Sequence, residues 1–365
     1  MEPYFNASEF DKMSSDAFLK DRNKRSKPSS SYVAFLAASL LGPPLLAVLG
    51  STVVLSQALK RLTSSPDSKK AVSDADLSAF FSDAVASNPP NPVASRKYDM
   101  VLLGVTGFTG QLALEYYARN YASSGLRFAV AGRSASKVNA SISAVRALVP
   151  TWSGPLDVLT CDSSDLPSVQ AMCSSTSVVI STAGPFAKVG TTVVAGCAHN
   201  GTSYADITGE SSWVRGNVVS FGPVCLKTGA RVVSMCGNDS IPWEMSVLGL
   251  DAAMATRGDE IRDVTFFDEL AGAASGGTLA TMVYAVEEGG GNLRVPFPQG
   301  DPMLLATDNK ALAQFPTKNV CPQVFPSKFF GRWMSPFLLS GPNCDAVSRS
   351  VALRSGGKGK INYAE

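Results

Sequence analysis

Residues 102–111 read "LLGVTGFTGQ", an apolar run that opens into three evenly spaced glycines. The run that leads into it, "YDMVLLGV" (98–105), is typical of a buried strand, and the residues that follow are typical of a helix. Glycine permits a tight turn and a close approach of the backbone to a ligand, while the free N–H groups at a helix N-terminus favour anions. The order of strand, glycine loop and helix therefore predicts a turn that holds the pyrophosphate of a dinucleotide.

The predicted cofactor contacts in this loop are the three glycines and the residues between them: Gly104, Thr106, Gly107, Phe108, Thr109 and Gly110. The alternative interpretation is a tight strand-to-helix turn that binds nothing.

Short apolar runs alternate with helical stretches through the middle of the chain. The runs are "YDMVLLGV", "LRFAVAGR", "GPLDVLTCD", "TSVVISTAG", "TSYADITG" and "ARVVSMCG". Strands buried on both faces lose polar alternation, and helices cover both faces of a parallel sheet. The rhythm predicts an α/β fold, with a Rossmann-type doubly wound parallel sheet over residues 98–240.

The end of the second run bears on the choice of cofactor. An acidic residue about 20 positions beyond the glycine loop binds the ribose of NAD, whereas an arginine there accommodates the 2′-phosphate of NADP. Arg133 stands at this place in "AVAGRSASK", with Ser134 and Lys137 behind it. The sequence therefore predicts NADP(H), and the alternative is that Arg133 is only a solvated surface charge.

Two further segments follow strand ends, where the ligand crevice of such a sheet forms. Asp162 follows the third run and is predicted either to contact the adenine or to be the N-cap of the helix that begins near Asp165. The segment after the fourth run, predicted to face the cofactor, comprises Ser181, Thr182, Ala183, Gly184 and Pro185.

The candidate catalytic residues follow the fifth and sixth runs. A hydride transfer to a polarised double bond needs a proton source, which a tyrosine or a carboxylic acid can supply. The candidates are Tyr204, Asp206 and Asp239, with Glu210, Asn238 and Ser240 as polar neighbours. Short polar side chains are also frequent as caps and loop braces, so the alternative for each is structural. Tyr204 is followed by "ADIT", which does not match the Y-x-x-x-K pair of short-chain dehydrogenases.

Composition excludes several classes of protein. The 365 residues carry a net charge of +2, so no broad basic field favours nucleic acid, and a small-molecule or lipid partner is expected. Seven scattered cysteines without a C-x-x-C pair indicate a reducing compartment. The single histidine, His199, argues against a metal site and against a Ser-His-Asp triad, and "HNG" (199–201) places it in a last helical turn.

The N-terminal third predicts three regions. Residues 1–31 form a polar, disordered tail, and residues 32–62 form a hydrophobic leader that contacts a membrane. Gly42-Pro43-Pro44 interrupts this leader, so a hairpin or an interfacial anchor is an alternative to a span, and a cleaved signal or a floppy leader is another. Residues 63–97 form a linker with one short helix around 74–86.

Residues 241–365 are predicted to form a second, α+β substrate domain. A helix begins near Ile241, "DVTFFDEL" (263–270) alternates like a strand, and "GGTLATMVYAVEEGG" (276–290) is typical of a helix.

The motifs "GVTGFTG", "AVAGRSASK", "STAGPF", "YADITGE" and "CGNDSIPWE" resemble, in this order and spacing, the saccharopine dehydrogenase-like oxidoreductases, which include the mycobacterial trans-acting enoyl reductases. The resemblance covers about residues 98–365. It implies a Rossmann domain, a second α+β domain, NADP(H) and, in several members, association with membranes or lipid droplets. Similar proteins continue beyond "INYAE", so a truncated C-terminus is expected.

The resulting hypothesis is a membrane- or lipid-droplet-associated NADPH-dependent oxidoreductase with its catalytic domain facing the cytosol. It would reduce a polarised C=C or C=O bond of a lipid-like substrate, with a role in lipid or glycolipid metabolism. The alternative is a catalytically silent NADP(H)-binding scaffold or redox sensor at a membrane surface. Neither the substrate nor the oligomeric state follows from the sequence.

Overall fold

A computed structural model describes most of the chain from residue 72 onward. The described residues are 72–238, 240–261, 263–267, 275–287, 305, 325–327, 331–334, 337, 340–354 and 362–364. They belong to one compact unit, Lys70–Glu365. The predicted polar tail (1–31), the apolar leader (32–62) and the candidate Asp239 lie outside the described residues.

A parallel sheet of six strands forms the centre of the molecule, in the order β3-β2-β1-β4-β5-β6. Its strands are β1 (Tyr98–Leu103), β2 (Phe128–Gly132), β3 (Asp157–Thr160), β4 (Thr176–Ser181), β5 (Ser203–Asp206) and β6 (Val232–Val233). This is the strand order of the Rossmann fold, in which the topology switches between β1 and β4. The predicted Rossmann-type sheet is confirmed.

The apolar strands are explained by cores on both faces of the sheet. Val101 packs into one hydrophobic cluster and its neighbour Leu102 into the other. Successive side chains of a strand point to opposite faces, so both must be apolar when helices cover both faces.

Helices connect and flank these strands. They are α1 (Asp74–Ser87), α2 (Phe108–Asn120), α3 (Ala135–Leu148), α4 (Leu166–Ser175), α5 (Phe186–Val189), α6 (Thr191–Asn200) and α7 (Ser211–Thr228). The left-handed Gly201 (φ +63°) ends α6 and places His199 in its last turn, as predicted.

Helix α1 is the helix predicted around residues 74–86. It packs on α6, and its residues Leu77 and Phe81 belong to the main core, where Phe81 has no exposed surface. The ring of Phe81 stacks on that of His199 with a centroid distance of 6.4 Å. Helix α1 is therefore part of the folded unit.

Arg96 anchors the chain where it enters β1. Its guanidinium is buried and donates to the carbonyl oxygens of Thr176 (2.7 Å) and Asn200 (2.5 Å) and to the hydroxyl of Thr202 (2.6 Å). One side chain thus ties the entry of β1 to the start of β4 and to the end of α6.

The C-terminal part adds helices and two small sheets. Its elements are α8 (Ile241–Ala255), β7 (Asp263–Thr265), α9 (Gly276–Glu287), β8 (Phe325–Ser327), β9 (Arg332–Met334), α10 (Ser340–Arg354) and β10 (Asn362–Ala364). β7 pairs with β10 in parallel, and β8 pairs with β9 antiparallel. The positions of α8, β7 and α9 agree with the helix, strand and helix that the sequence predicts there. Among the described helices, none is both long enough and apolar enough to cross a membrane.

Candidate functional site

Two of the three loop glycines are required by the packing of the protein itself. Gly104 has a φ of +93°, and a Cβ atom there would lie 2.8 Å from the backbone nitrogen of Ala183. A Cβ atom on Gly110 would lie 2.2 Å from the carbonyl oxygen of Gly104. These two residues let the loop turn and let α2 approach β1.

Gly107 differs from both. It is the N-cap residue of α2, and no side chain caps the helix there. In the part of the chain that the structure describes, a Cβ atom on Gly107 would meet only the Gly104 oxygen, at 3.5 Å. Thr106 and Phe108 beside it are exposed, and Phe108 is 58% accessible. The structure therefore leaves open space outside a helix N-terminus, which is the arrangement that binds phosphate groups.

The segment after β4 lies against the glycine loop. The Thr182 hydroxyl donates to the carbonyl oxygens of Leu103 (3.1 Å) or Gly104 (3.2 Å), and the Ser181 hydroxyl accepts from the Ala183 nitrogen (3.4 Å). The two loops that flank the topological switch point thus touch. The contact of residues 181–185 with a cofactor stays a prediction. The Gly184–Pro185 peptide bond is cis.

Arg133, Ser134 and Lys137 follow the end of β2. The Arg133 and Lys137 side chains are exposed, while the Ser134 hydroxyl caps α3 by accepting from the Lys137 nitrogen (3.5 Å). The structure therefore gives Ser134 a capping role in addition to the predicted contact, and it leaves two cations at this edge of the sheet.

The interpretation of Asp162 as a helix cap is wrong. The carboxylate of Asp165 caps α4 by accepting from the Ser168 nitrogen at 3.2 Å. Asp162 accepts instead from the backbone nitrogen and the hydroxyl of Ser164, both at 2.9 Å, which forms a local turn after β3. Its predicted contact with the adenine stays a prediction.

The Asp206 carboxylate joins two loops. It is buried and accepts from the backbone nitrogens of Thr208 (3.0 Å) and Met235 (3.1 Å) and from the Ser234 hydroxyl (3.1 Å). Burial raises the pKa of Asp206 to about 6, although these donors oppose the rise. Met235 takes a left-handed φ of +64°, which positions its nitrogen on the carboxylate.

Tyr204 lies deeper, on the same face of β5. Its ring is fully buried in the main core. The Ser181 and Asp206 side chains lie near its hydroxyl, but within the described residues no partner meets it with full hydrogen-bonding geometry. Burial, reinforced by the Asp206 carboxylate, raises the pKa of Tyr204 well above its ordinary value. This environment favours a packing role over proton transfer.

The sequence offers Glu210 as one of the polar candidates after the fifth strand, and the structure shows what its carboxylate binds. Its two carboxylate oxygens accept from the backbone nitrogens of Phe186 and Ala187, each at 2.8 Å. Its own nitrogen donates to the Thr208 hydroxyl at 3.0 Å. Burial raises the pKa of Glu210, and the two N–H donors oppose that rise.

A network of hydrogen bonds thus connects the loops after β4, β5 and β6. It runs through Asp206, Thr208 and Glu210. Sequence reasoning could anticipate polar residues after β5, because strand ends carry them. It could not pair Glu210 with Phe186, because the pairing depends on which strands are neighbours.

Comparisons with known proteins add to this geometry. The chain is 34% identical over 277 residues to a Mycobacterium tuberculosis protein that carries a provisional name as a trans-acting enoyl reductase, a match that covers 74% of this chain and 65% of that protein. It is 30% identical over 285 residues to the trans-acting enoyl reductase of Mycobacterium bovis, with 74% and 66% covered. The chain thus spans slightly less than two thirds of these relatives.

Among solved structures, apo saccharopine dehydrogenase (L-Glu forming) from Saccharomyces cerevisiae matches with 20% identity and a TM-score of 0.37, over 46% of this chain and 34% of that one. A likeness of this size carries no argument about the site. No protein-family model matches the chain.

Proposed function

We propose that the chain, which is 34% and 30% identical to two proteins named as trans-acting enoyl reductases, belongs with them and is an NADPH-dependent oxidoreductase. It reduces a polarised C=C or C=O bond of a lipid-like substrate.

The observation that carries this proposal is the open space at Gly107. The fold requires Gly104 and Gly110, but among the described residues only one oxygen, at 3.5 Å, lies near the position that a Cβ atom on residue 107 would occupy. A glycine that the packing does not need, at the N-terminus of α2, is explained by a ligand that approaches the backbone closely. The pyrophosphate of a dinucleotide has the charge and size that this place suits.

Arg133 supports the choice of NADPH over NADH. It stands at the end of β2 with an exposed side chain, and Lys137 is exposed one helical turn beyond it. A guanidinium matches a phosphate dianion with two parallel hydrogen bonds, and a lysine adds a second positive charge. These two side chains would hold the 2′-phosphate, while residues 181–185 would face the opposite half of the cofactor.

When bound, NADPH supplies the hydride. The residues of the chain would hold the cofactor over the acceptor, exclude water and provide a proton. Among Tyr204, Asp206 and Asp239, the pKa of about 6 gives Asp206 a protonated fraction near neutral pH, which is the property a general acid needs.

A second function is favoured by a different observation. The oxygens of Asp206 and Glu210 already accept backbone N–H groups, and the Tyr204 hydroxyl is buried. Within the described part of this site, Asp206 and Glu210 thus brace loops, and Tyr204 packs in the core. This arrangement suits an NADP(H)-binding scaffold or redox sensor without turnover.

Two measurements test these proposals in order. Titration of the full chain with NADPH and NADH, followed by nucleotide fluorescence, tests binding: we expect NADPH to bind more tightly, and the absence of binding by both nucleotides would overturn the proposal. Stopped-flow oxidation of bound NADPH against a panel of enoyl and ketoacyl lipids tests turnover. Tight binding without oxidation by any lipid of the panel would favour the scaffold.

We also propose that the protein works at a membrane or lipid-droplet surface, with its folded unit on the cytosolic side. The support is the sequence from Tyr32 to Leu59, which has no ionisable side chain except the tyrosine. An apolar stretch of this length favours contact with lipid. Flotation of the full chain with phospholipid vesicles tests it, since a protein without an anchor stays at the bottom of the gradient.

A further inference from the structure

The Glu210 carboxylate attaches a second loop at two consecutive points. Phe186 and Ala187 are adjacent in the chain, and each donates its backbone N–H to a different oxygen of Glu210 at 2.8 Å. Two parallel bonds to one rigid carboxylate fix the orientation of the peptide unit as well as its distance. The loop that ends in Pro185 is therefore held in one pose from the β5 side.

The same pose is supported from α7, the helix that begins directly after Glu210. The ring of Trp213 packs on that of Phe186 with a centroid distance of 5.8 Å, and its Nε1–H donates to the Thr191 hydroxyl at 2.9 Å. A Cβ atom on Gly190 would lie 2.7 Å from the Trp213 ring, so no wider side chain fits there. Helix α7 thus clamps both ends of α5.

The position of this loop in the sheet indicates which part of a cofactor it faces. Arg133 follows β2, on one side of β1, while residues 182–187 follow β4, on the other side. In a Rossmann sheet the dinucleotide lies across this switch point, with its adenosine half over the first mononucleotide-binding unit. The loop that Glu210 holds therefore lies on the nicotinamide side.

We propose that Glu210 is a positioning residue that holds the segment 184–187 against the nicotinamide half of the bound cofactor. The inference rests on the proposed function, because it needs a nicotinamide nucleotide in the crevice. Glu210 does not touch the cofactor itself and acts through the backbone of Phe186 and Ala187.

The test compares a whole cofactor with its adenosine half. Dissociation constants for NADPH and for adenosine 2′,5′-bisphosphate are measured on the full chain and on Glu210→Gln, which puts an NH₂ donor opposite an N–H donor. We expect the Kd for NADPH to rise roughly 10-fold, the effect of one lost hydrogen bond to a charged group, and the Kd for the bisphosphate to stay within about twofold. A general loss of structure would weaken both ligands.

Two further variants complete the experiment. Asp99→Asn makes the same chemical change in a carboxylate that also accepts a backbone N–H, from Arg127 at 2.9 Å. Asp99 lies at the amino end of β1, away from the carboxyl ends of the strands, so both constants should stay unchanged. Glu210→Asp keeps the charge and withdraws it by one methylene, so it should restore part of the NADPH affinity. It also carries the test if Glu210→Gln does not fold.

Each outcome of these binding measurements either supports or overturns the positioning role of Glu210. Equal losses for both ligands, or unchanged NADPH binding in both Glu210 variants, would overturn the positioning role and leave the proposed function intact. Failure of the unaltered chain to bind either ligand would overturn the proposed function, and this inference with it.

Discussion

A Cβ atom on Gly104 would lie 2.8 Å from the backbone nitrogen of Ala183, so the loop after β1 and the loop after β4 leave no space for a side chain between them. The φ of +93° adds a second conflict, because residues with a Cβ atom rarely adopt it. We expect Gly104→Ala to lower the free energy of unfolding by about 1 to 3 kcal/mol through strain alone. Urea unfolding measures the change, and an unaltered midpoint would show that the two loops separate easily.

Gly107→Val should behave in the opposite way. The new side chain meets little of the described protein, so the unfolding midpoint should fall only by the cost of valine at the N-cap of α2. It would occupy the place of the pyrophosphate, and the affinities for NADPH and NADH should fall together. Fluorescence titration with both nucleotides gives the comparison. Unchanged affinity would mean that the glycine loop is only a turn.

Arg133→Ala tests the selection between the two nucleotides. Removal of a charge-assisted contact to a phosphate costs on the order of 1.5 to 3 kcal/mol, which corresponds to an NADPH affinity about 10- to 150-fold lower. The affinity for NADH should barely change, because it has no 2′-phosphate. Arg133→Lys is the matched control and should retain part of the preference. Equal losses for both nucleotides would show that Arg133 does not contact the 2′-phosphate.

Asp206→Asn tests the buried carboxylate through the pH dependence of stability. The pKa of Asp206 is raised to about 6 in the folded state. The contribution of its protonated form to the free energy of unfolding is therefore fully present below about pH 4 and is lost as the pH rises through about 6. A difference of about 2 between the folded and unfolded pKa values corresponds to about 3 kcal/mol. Relative to the unaltered chain, Asp206→Asn should therefore gain about that amount between about pH 4 and pH 7.5.

Urea unfolding of both proteins across this pH range measures the difference. Asp99→Asn is a control of opposite sign, because the guanidinium of Arg127 lowers the pKa of Asp99. Its stabilising contribution is lost as the pH falls rather than as it rises. Parallel pH curves for Asp206→Asn and the unaltered chain would contradict the burial of an ionised Asp206.

The packing of α1 on the core leads us to expect that two N-terminal deletions differ in their effect on stability. Removal of residues 1–62 should release the protein from membranes and leave the NADPH affinity unchanged, because α1 and the sheet remain. Removal of residues 1–90 also removes Leu77 and Phe81 from the core and should destabilise the unit strongly. Phe81→Ala alone should cost about 3 to 5 kcal/mol. Thermal unfolding and vesicle flotation check both deletions, and membrane binding of the shorter deletion would locate the anchor elsewhere.

The sequence predicted those parts of the fold that depend on local pattern. The run before Gly104 is apolar without alternation because Val101 and Leu102 face different cores, and this pattern predicts a strand buried on both sides. The helix stop at Gly201 was equally predictable, since glycine takes the left-handed conformation at little cost.

Features that depend on distant partners were not predictable. Arginine is mostly exposed in proteins, and only the meeting of β4 with the end of α6 explains why Arg96 is buried. Asp162 and Asp165 are equally good cap residues by type, and only the observed start of α4 distinguishes them. The bond from Phe186 to Glu210 spans 24 residues, and it exists because β4 and β5 are neighbours.

Because the described structure has room for a side chain at position 107, a substitution there can weaken nucleotide binding without unfolding the protein. A Gly107→Val protein should be folded and bind nucleotide weakly, with its acceptor side unaltered. If the proposed oxidoreductase activity holds, such a protein should retain, through purification from a lipid extract, the compound that the intact protein would reduce. Mass spectrometry of what it carries would then identify a substrate without any prior guess at its chemistry.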